Sequence, residues 1–168
     1  NQKIEDHSAI VGVVGLGYVG LPLVRAFWLA GYRVVGFDVD PEKIRQIDRG
    51  ENYLKHLGAN LVREMVSSGR FGATGDLRRL SEPDAILVCV PTPLDQHHQP
   101  DLSHIEQTAE SIAATLRPGQ LVCLESSTYP GTTREILLPR FEATGLKCGR
   151  EFFLAYSPER EDPGRTNY

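Results

Sequence analysis

No stretch of the 168 residues stays apolar over the roughly 20 positions that a membrane-spanning helix needs. Basic charge is also scarce. Eighteen Lys and Arg face 22 Asp and Glu, a net charge of −4, which argues against a general nucleic-acid or anionic-membrane partner. Weak acidity does not bar local phosphate binding, because backbone N–H groups can supply it. Only three cysteines occur, Cys89, Cys123 and Cys148, with no CxxC spacing. Cys89 and Cys123, inside apolar runs, read as small buried hydrophobes, and the odd number of cysteines fits a reducing compartment, with the cytoplasm as the expected location. The histidines form no metal constellation: His97 and His98 are adjacent in a polar stretch, 95–100, expected to be an exposed loop, and lack a third ligand. There is no internal repeat at solenoid spacing and no low-complexity segment. Residues 1–8 are polar, do not resemble a signal peptide, and are expected to form a short flexible lead.

What the chain does have is a regular alternation of strands and helices. The apolar run 9–14 ends in glycine and suits a strand buried on both faces. A helix is predicted over 19–30, with Pro22 in its first turn and Gly31 as its stop. A strand at 33–38 precedes a helix capped by Asp40, begun by Pro41 and ended by Gly50. A further helix is predicted over 57–68 and a short strand over 71–74. The run 85–90 is a buried strand stopped by Pro91-Thr92-Pro93. Ser103 and Glu106 have the spacing of a capping box, and Ile105, Ala109, Ile112, Ala113 and Leu116 form one apolar helix face. A strand at 120–124, a helix at 132–141 and a strand at 151–156 complete the series. Short connections between alternating elements imply an α/β domain over 9–168 with a parallel sheet. Two mononucleotide-binding halves give a Rossmann doubly wound sheet, strand order 3-2-1-4-5-6.

Gly15-Leu16-Gly17-Tyr18-Val19-Gly20 leaves the first strand and opens a helix, and Asp38 ends the next strand. The G-x-G-x-x-G spacing is weak alone and strong in this context. Gly15 is expected to turn the chain, Gly17 to let backbone approach a pyrophosphate, and Gly20 to let helix and strand pack closely. N–H groups near Tyr18 and Val19 face the phosphates with the helix dipole behind them. The Asp38 carboxylate accepts ribose hydroxyls and repels a 2′-phosphate, so NAD is favoured over NADP. Lys43 nearby works against that repulsion. A tight turn with an exposed aspartate and no ligand is the alternative.

Three further segments narrow the chemistry: Val88-Cys89-Val90-Pro91-Thr92-Pro93-Leu94, Glu125-Ser126-Ser127-Thr128-Tyr129-Pro130-Gly131-Thr132-Thr133, and Tyr156-Ser157-Pro158-Glu159-Arg160-Glu161-Asp162-Pro163-Gly164. With the glycine-rich segment extended through Leu21-Pro22-Leu23, the chain resembles the UDP-glucose/GDP-mannose dehydrogenase family over nearly its whole length. The resemblance implies oxidation of the C6 hydroxyl of a nucleotide-linked sugar to a carboxylate, with two NAD⁺ per sugar and a thiohemiacetal on a cysteine. It implies that Gly15, Gly17, Tyr18, Val19 and Gly20 hold the pyrophosphate and that Asp38 and Lys43 hold the adenosine ribose. Thr92 would lie on the cofactor side of the fourth strand's end. Thr128 would lie near the reacting carbon, positioning a water or the cofactor, and Glu159 would assist proton movement there. Thr92, Thr128 and Glu159 each follow a predicted parallel strand, where open α/β sheets bind ligands. Taken singly, they read equally well as a strand stop, a turn and a charged surface run.

Members acting on UDP-glucose carry Pro-Glu-Phe where this chain has Pro158-Glu159-Arg160. The latter, followed by Pro163-Gly164, resembles the branch acting on UDP-N-acetylhexosamines, so UDP-N-acetylglucosamine or its mannosamine epimer is the expected substrate. The family's nucleophilic cysteine, catalytic lysine, dimer-forming helix and sugar-nucleotide domain are expected beyond Tyr168, as is homo-oligomer formation. The chain alone should bind NAD without turnover, since Cys89 is expected to be strand-buried and inert. Rival readings are a UDP-glucose 6-dehydrogenase, a β-hydroxyacid dehydrogenase with a similar start, and a non-catalytic NAD-sensing module.

Overall fold

Four of the five residues in the first strand, Ile10–Val14 (β1), are β-branched, and Arg33–Phe37 (β2) is similarly apolar after its first residue. A computed structural model of the chain describes residues 2–54, 57–58, 60–94 and 100–158. The remaining strands are Phe71–Thr74 (β3), Ala85–Val88 (β4), Leu121–Leu124 (β5) and Phe153–Tyr156 (β6). All pair in parallel, in the order β3-β2-β1-β4-β5-β6 expected from the sequence.

The helices are Gln2–Glu5 (α1), Gly20–Leu29 (α2), Pro41–Asp48 (α3), Leu61–Ser67 (α4), Ser103–Ala113 (α5) and Leu138–Glu142 (α6). A 3₁₀ turn, Leu77–Ser81, precedes β4, and a wide π turn, Thr133–Leu137, precedes α6. Pro139 has no N–H to give back to the preceding turn, which accounts for the widening just ahead of it. Right-handed crossovers put α2, α3 and α4 on one face and α5 and α6 on the other. Val11, Val13 and Leu87 pack with Leu21, Val24 and Met65 on the first face; Phe37, Ile86 and Val88 pack with Ile105, Ile112 and Phe141 on the second. The continuous apolar runs follow from this, since each central strand is covered twice.

Three local expectations change. Residues 2–8, expected as a flexible lead, include the α1 turn. The Lys3 ammonium meets Asp84 at 2.8 Å, the Ala9 N–H donates to the Lys3 carbonyl at 2.9 Å, and the Tyr32 hydroxyl donates to the Ile4 carbonyl at 3.0 Å. A partly buried carboxylate at the mouth of β4 recruits the lead's cation. Ser103 does not cap α5: the Asp101 carboxylate accepts from the Ser103 N–H at 2.9 Å, and Ser103 is the first helical residue. The α4 helix starts at Leu61 rather than at 57.

The entry to β4 is held by α5's C-terminal side. Arg117 donates to the carbonyls of Ser81 (2.7 Å), Glu82 (3.1 Å) and Pro83 (2.9 Å) and to the Asp84 carboxylate (3.1 Å). Burial raises the Asp84 pKa, but Lys3, the Ile10 N–H and Arg117 outweigh it and hold the carboxyl below its ordinary 3.8. A depressed carboxylate contributes stability that is present above pH ~4 and is lost as the pH falls through the lower folded value. Arg117→Ala should therefore lower stability by about 2 kcal/mol at neutral pH, the scale of hydrogen bonds to a charged group. A urea midpoint shift at constant m-value measures it, and an unshifted midpoint would show that the clamp is dispensable.

Candidate functional site

β1 and β4 are neighbours, but the chain leaves them toward opposite edges of the sheet, which opens a crevice beyond their C-terminal ends. A cavity of about 830 Å³ fills it, at the large end of small-molecule and cofactor sites. The G-x-G-x-x-G segment forms one wall, the end of β2 another, and the segments after β4 and β5 a third.

The glycines divide their work. Gly15 has φ of +89°, and a Cβ there would lie 2.6 Å from the Cys89 carbonyl, so both conformation and space demand glycine. A Cβ on Gly20 would lie 1.8 Å from the Gly15 carbonyl, so helix α2 can start this close to β1 only without a side chain. Gly17 faces open space, with nothing within 4 Å of where a Cβ would be, and its φ is not left-handed. The missing side chain at Gly17 therefore leaves cavity volume rather than relieving a protein contact. The loop continues into α2, whose N-cap, Val19, makes no side-chain capping bond. The Leu21 N–H already donates to the Gly17 carbonyl at 3.1 Å and Pro22 has no N–H, while Gly17, Tyr18 and Val19 line the cavity. An uncapped helix start over open space fits an anionic diphosphate.

Asp38 is only 6% exposed. Its carboxylate accepts from the Leu16 N–H at 2.8 Å, the Asp40 N–H at 2.9 Å and the Lys43 ammonium at 3.0 Å. The expected pair is thus together, and it is also an ion pair at the cavity wall. On the other side of Leu16, the Tyr53 hydroxyl donates to its carbonyl at 2.6 Å. Burial, and then the charges of Asp38 and Asp40, push that hydroxyl above its ordinary range, so it remains a donor.

Thr92 lines the cavity, and its hydroxyl donates to the Ser127 carbonyl at 2.9 Å, tying the segment after β4 to that after β5. Thr128 is half-buried and, among the described residues, Ser126 and Ser127 rather than Thr128 form the wall. Gly20 packs behind the loop. Glu159 and the histidine pair His97-His98 lie outside the described residues. Cys89 is buried and lines the cavity. Burial, and then the Glu125 carboxylate, push the Cys123 thiol up to about 12.

Sequence reasoning missed two parts of the wall. His104, Gln107, Thr108 and Ser111 of α5 line it, at i, i+3, i+4 and i+7. This polar stripe is the complement of the apolar face identified from the sequence, and it marked a surface without saying what it faced. Glu125, at 8% exposure, is the second missed part; its chain position directly after a buried strand was the available signal.

The profile of the UDP-glucose/GDP-mannose dehydrogenase family, NAD binding domain, matches residues 9–168. The chain belongs to this family. It is 40% identical over 155 residues to the UDP-N-acetyl-D-glucosamine 6-dehydrogenase of Pseudomonas aeruginosa, covering 92% of this chain and 36% of that protein. The structure of the UDP-D-ManNAc dehydrogenase of Pyrococcus horikoshii superposes with a TM-score of 0.86 at 36% identity, over 93% of this chain and 37% of that one. An NDP-N-acetyl-D-galactosaminuronic acid dehydrogenase from Methanosarcina mazei gives 0.85 at 37% identity, over 94% and 36%. The chain spans little more than a third of the length of the curated relatives it matches. This is an NAD-binding Rossmann domain of that family.

As an NAD-binding domain, it should respond differently at its two inner glycines. Gly17→Val should keep the fold and lose NAD binding at least tenfold, because the added methyls enter the cavity. Gly20→Ala should instead destabilise the domain, since its Cβ meets a backbone carbonyl. Circular dichroism melts with calorimetric titration separate the two; a Gly17→Val variant that binds NAD normally would mean the loop is only a turn.

Proposed function

We propose that this chain is the cofactor-binding part of an NAD-dependent UDP-sugar 6-dehydrogenase that converts a UDP-N-acetylhexosamine to its uronic acid. The observation that supports it most is the family match across 9–168, combined with relatives named for UDP-N-acetyl-D-glucosamine and UDP-N-acetyl-D-mannosamine at 36–40% identity. Pro158-Glu159-Arg160 favours the same branch over UDP-glucose.

NAD⁺, when bound, supplies the hydride acceptor for each of two oxidations. Gly15, Gly17, Tyr18 and Val19 form the diphosphate cradle, with Gly20 allowing the helix to start there. Asp38 binds the adenosine ribose, with Lys43 holding that carboxylate in place. Thr92 is assigned to the cofactor side of the β4 end. Thr128 positions a water or the cofactor near the reacting carbon, and Glu159 holds or moves a proton there; both are assigned from the family resemblance. The nucleophilic cysteine, the catalytic lysine and the sugar-nucleotide site are assigned to residues outside these 168. On this reading the chain alone binds cofactor without turnover, and the whole protein is a cytoplasmic homo-oligomer. No helix among the described residues is long and apolar enough to cross a membrane.

Two results test this reading. Calorimetry on the chain should show NAD⁺ binding at least tenfold tighter than NADP⁺, because ribose hydroxyls donate to the Asp38 carboxylate whereas a 2′-phosphate is set against it; equal affinities would contradict it. In the full-length protein, Glu159→Gln should lower kcat for UDP-N-acetylglucosamine oxidation by about 10²–10⁴-fold at nearly constant NAD affinity. A lower melting temperature with wild-type kcat would remove Glu159 from the chemistry.

A further inference from the structure

Glu125 occupies the place in the second half of the sheet that Asp38 occupies in the first. Asp38 is the residue directly after β2, and Glu125 the residue directly after β5. The last pairs before them also correspond: Phe37 aligns with Val14 at the end of β1, and Leu124 with Val88 at the end of β4. By strand alternation both side chains lie on the α2 face, where Val34 and Cys123 join one apolar cluster. The two residues are buried to nearly the same degree, at 6% and 8% exposure, and both line the same cavity.

Their partners differ in one respect. Asp38 is neutralised by Lys43 and two backbone N–H groups. Among the described residues, the Glu125 carboxylate accepts only from the Cys123 thiol, at 3.3 Å to Oε1. A thiol is a weak donor, whereas a carboxylate has about four acceptor positions. A buried carboxylate so weakly served is costly unless something in the cavity donates to it. The two acids lie three strands apart, about 14 Å at the usual inter-strand step of ~4.8 Å, with the G-x-G-x-x-G loop leaving a strand between them. One acid on each side of a diphosphate cradle matches a ligand with one ribose on each side of its diphosphate.

We propose that Glu125 binds the vicinal hydroxyls of the nicotinamide-side ribose, as the counterpart of Asp38 at the adenosine ribose. The proposal rests on the reading of this cavity as the NAD site. It makes Glu125 a cofactor-binding residue that sets the reach of the nicotinamide half from the cradle, and it assigns it no proton transfer.

The test is calorimetric titration of the full-length protein and its Glu125→Gln and Glu125→Ala variants with NAD⁺, ADP-ribose and ADP. ADP-ribose retains the second ribose without the nicotinamide, and ADP lacks both. Both variants should bind NAD⁺ and ADP-ribose roughly 10- to 100-fold more weakly, Ala more than Gln, and bind ADP like the wild type. A loss for NAD⁺ with none for ADP-ribose would move Glu125 to the nicotinamide carboxamide and overturn the proposal. An equal loss for ADP would make Glu125 a structural group and overturn it too, as would no loss at all. If the wild type bound none of the three ligands, it is the NAD reading itself that would fail.

Discussion

The hydrogen bond from the Leu16 N–H to the buried Asp38 carboxylate joins the first two strands at the one place where both matter. Leu16 is the second residue of the glycine-rich turn, and Asp38 the first residue after β2. The same carboxylate orders the start of α3 through the Asp40 N–H and draws in Lys43. Tyr53 holds the other side of Leu16 by its carbonyl. With both backbone groups of Leu16 fixed, the next residue, Gly17, is presented to the cavity at a fixed height, and α2 begins at the distance that Gly15 and Gly20 permit. A buried charge held by three donors is expensive to desolvate but resists rearrangement, which is the property a preformed cofactor loop requires.

Function builds outward from this point. The sheet order brings the ends of β1 and β4 together, and the crevice between their diverging connections has the volume of a cofactor site. One side holds a neutralised carboxylate, the centre an uncapped helix start, and the other side the second acid, Glu125. The cavity is therefore graded in charge along its length, acid–amide–acid, as a diphosphate flanked by two polyols demands. The Asp38 carboxylate gives Oδ2 to the Leu16 N–H and Lys43 and Oδ1 to the Asp40 N–H, which leaves acceptor capacity on the cavity side.

The parts legible in the sequence were those written in local pattern. Continuous apolar runs marked the buried strands, and the spacing of Gly15, Gly17 and Gly20 before Asp38 marked the loop and its acid. The alternation of elements was enough for the strand order. What escaped the sequence depended on contacts distant in the chain. The Lys3–Asp84 pair spans 81 positions, and no local signal distinguishes a docked polar lead from a frayed one. Ser103 is the first helical residue of α5 and not its cap; Leu102 stands at the N-cap, and the Asp101 carboxylate takes the Ser103 N–H from outside the helix. Gly15, expected to turn the chain, is the glycine of the loop whose φ is positive. Glu125 looked like one letter of a motif until the register of β5 against β4 placed it opposite Asp38.

Hydrogen exchange at the Leu16 amide tests the central role of the Asp38 contact most directly. In Asp38→Ala, exchange at that amide should accelerate at least tenfold while the β1 amides keep their protection, because the loop loses its anchor but the sheet does not. Unchanged protection at Leu16, accompanied by loss of NAD binding, would make Asp38 a ligand contact alone and contradict its role as the anchor of the glycine-rich loop.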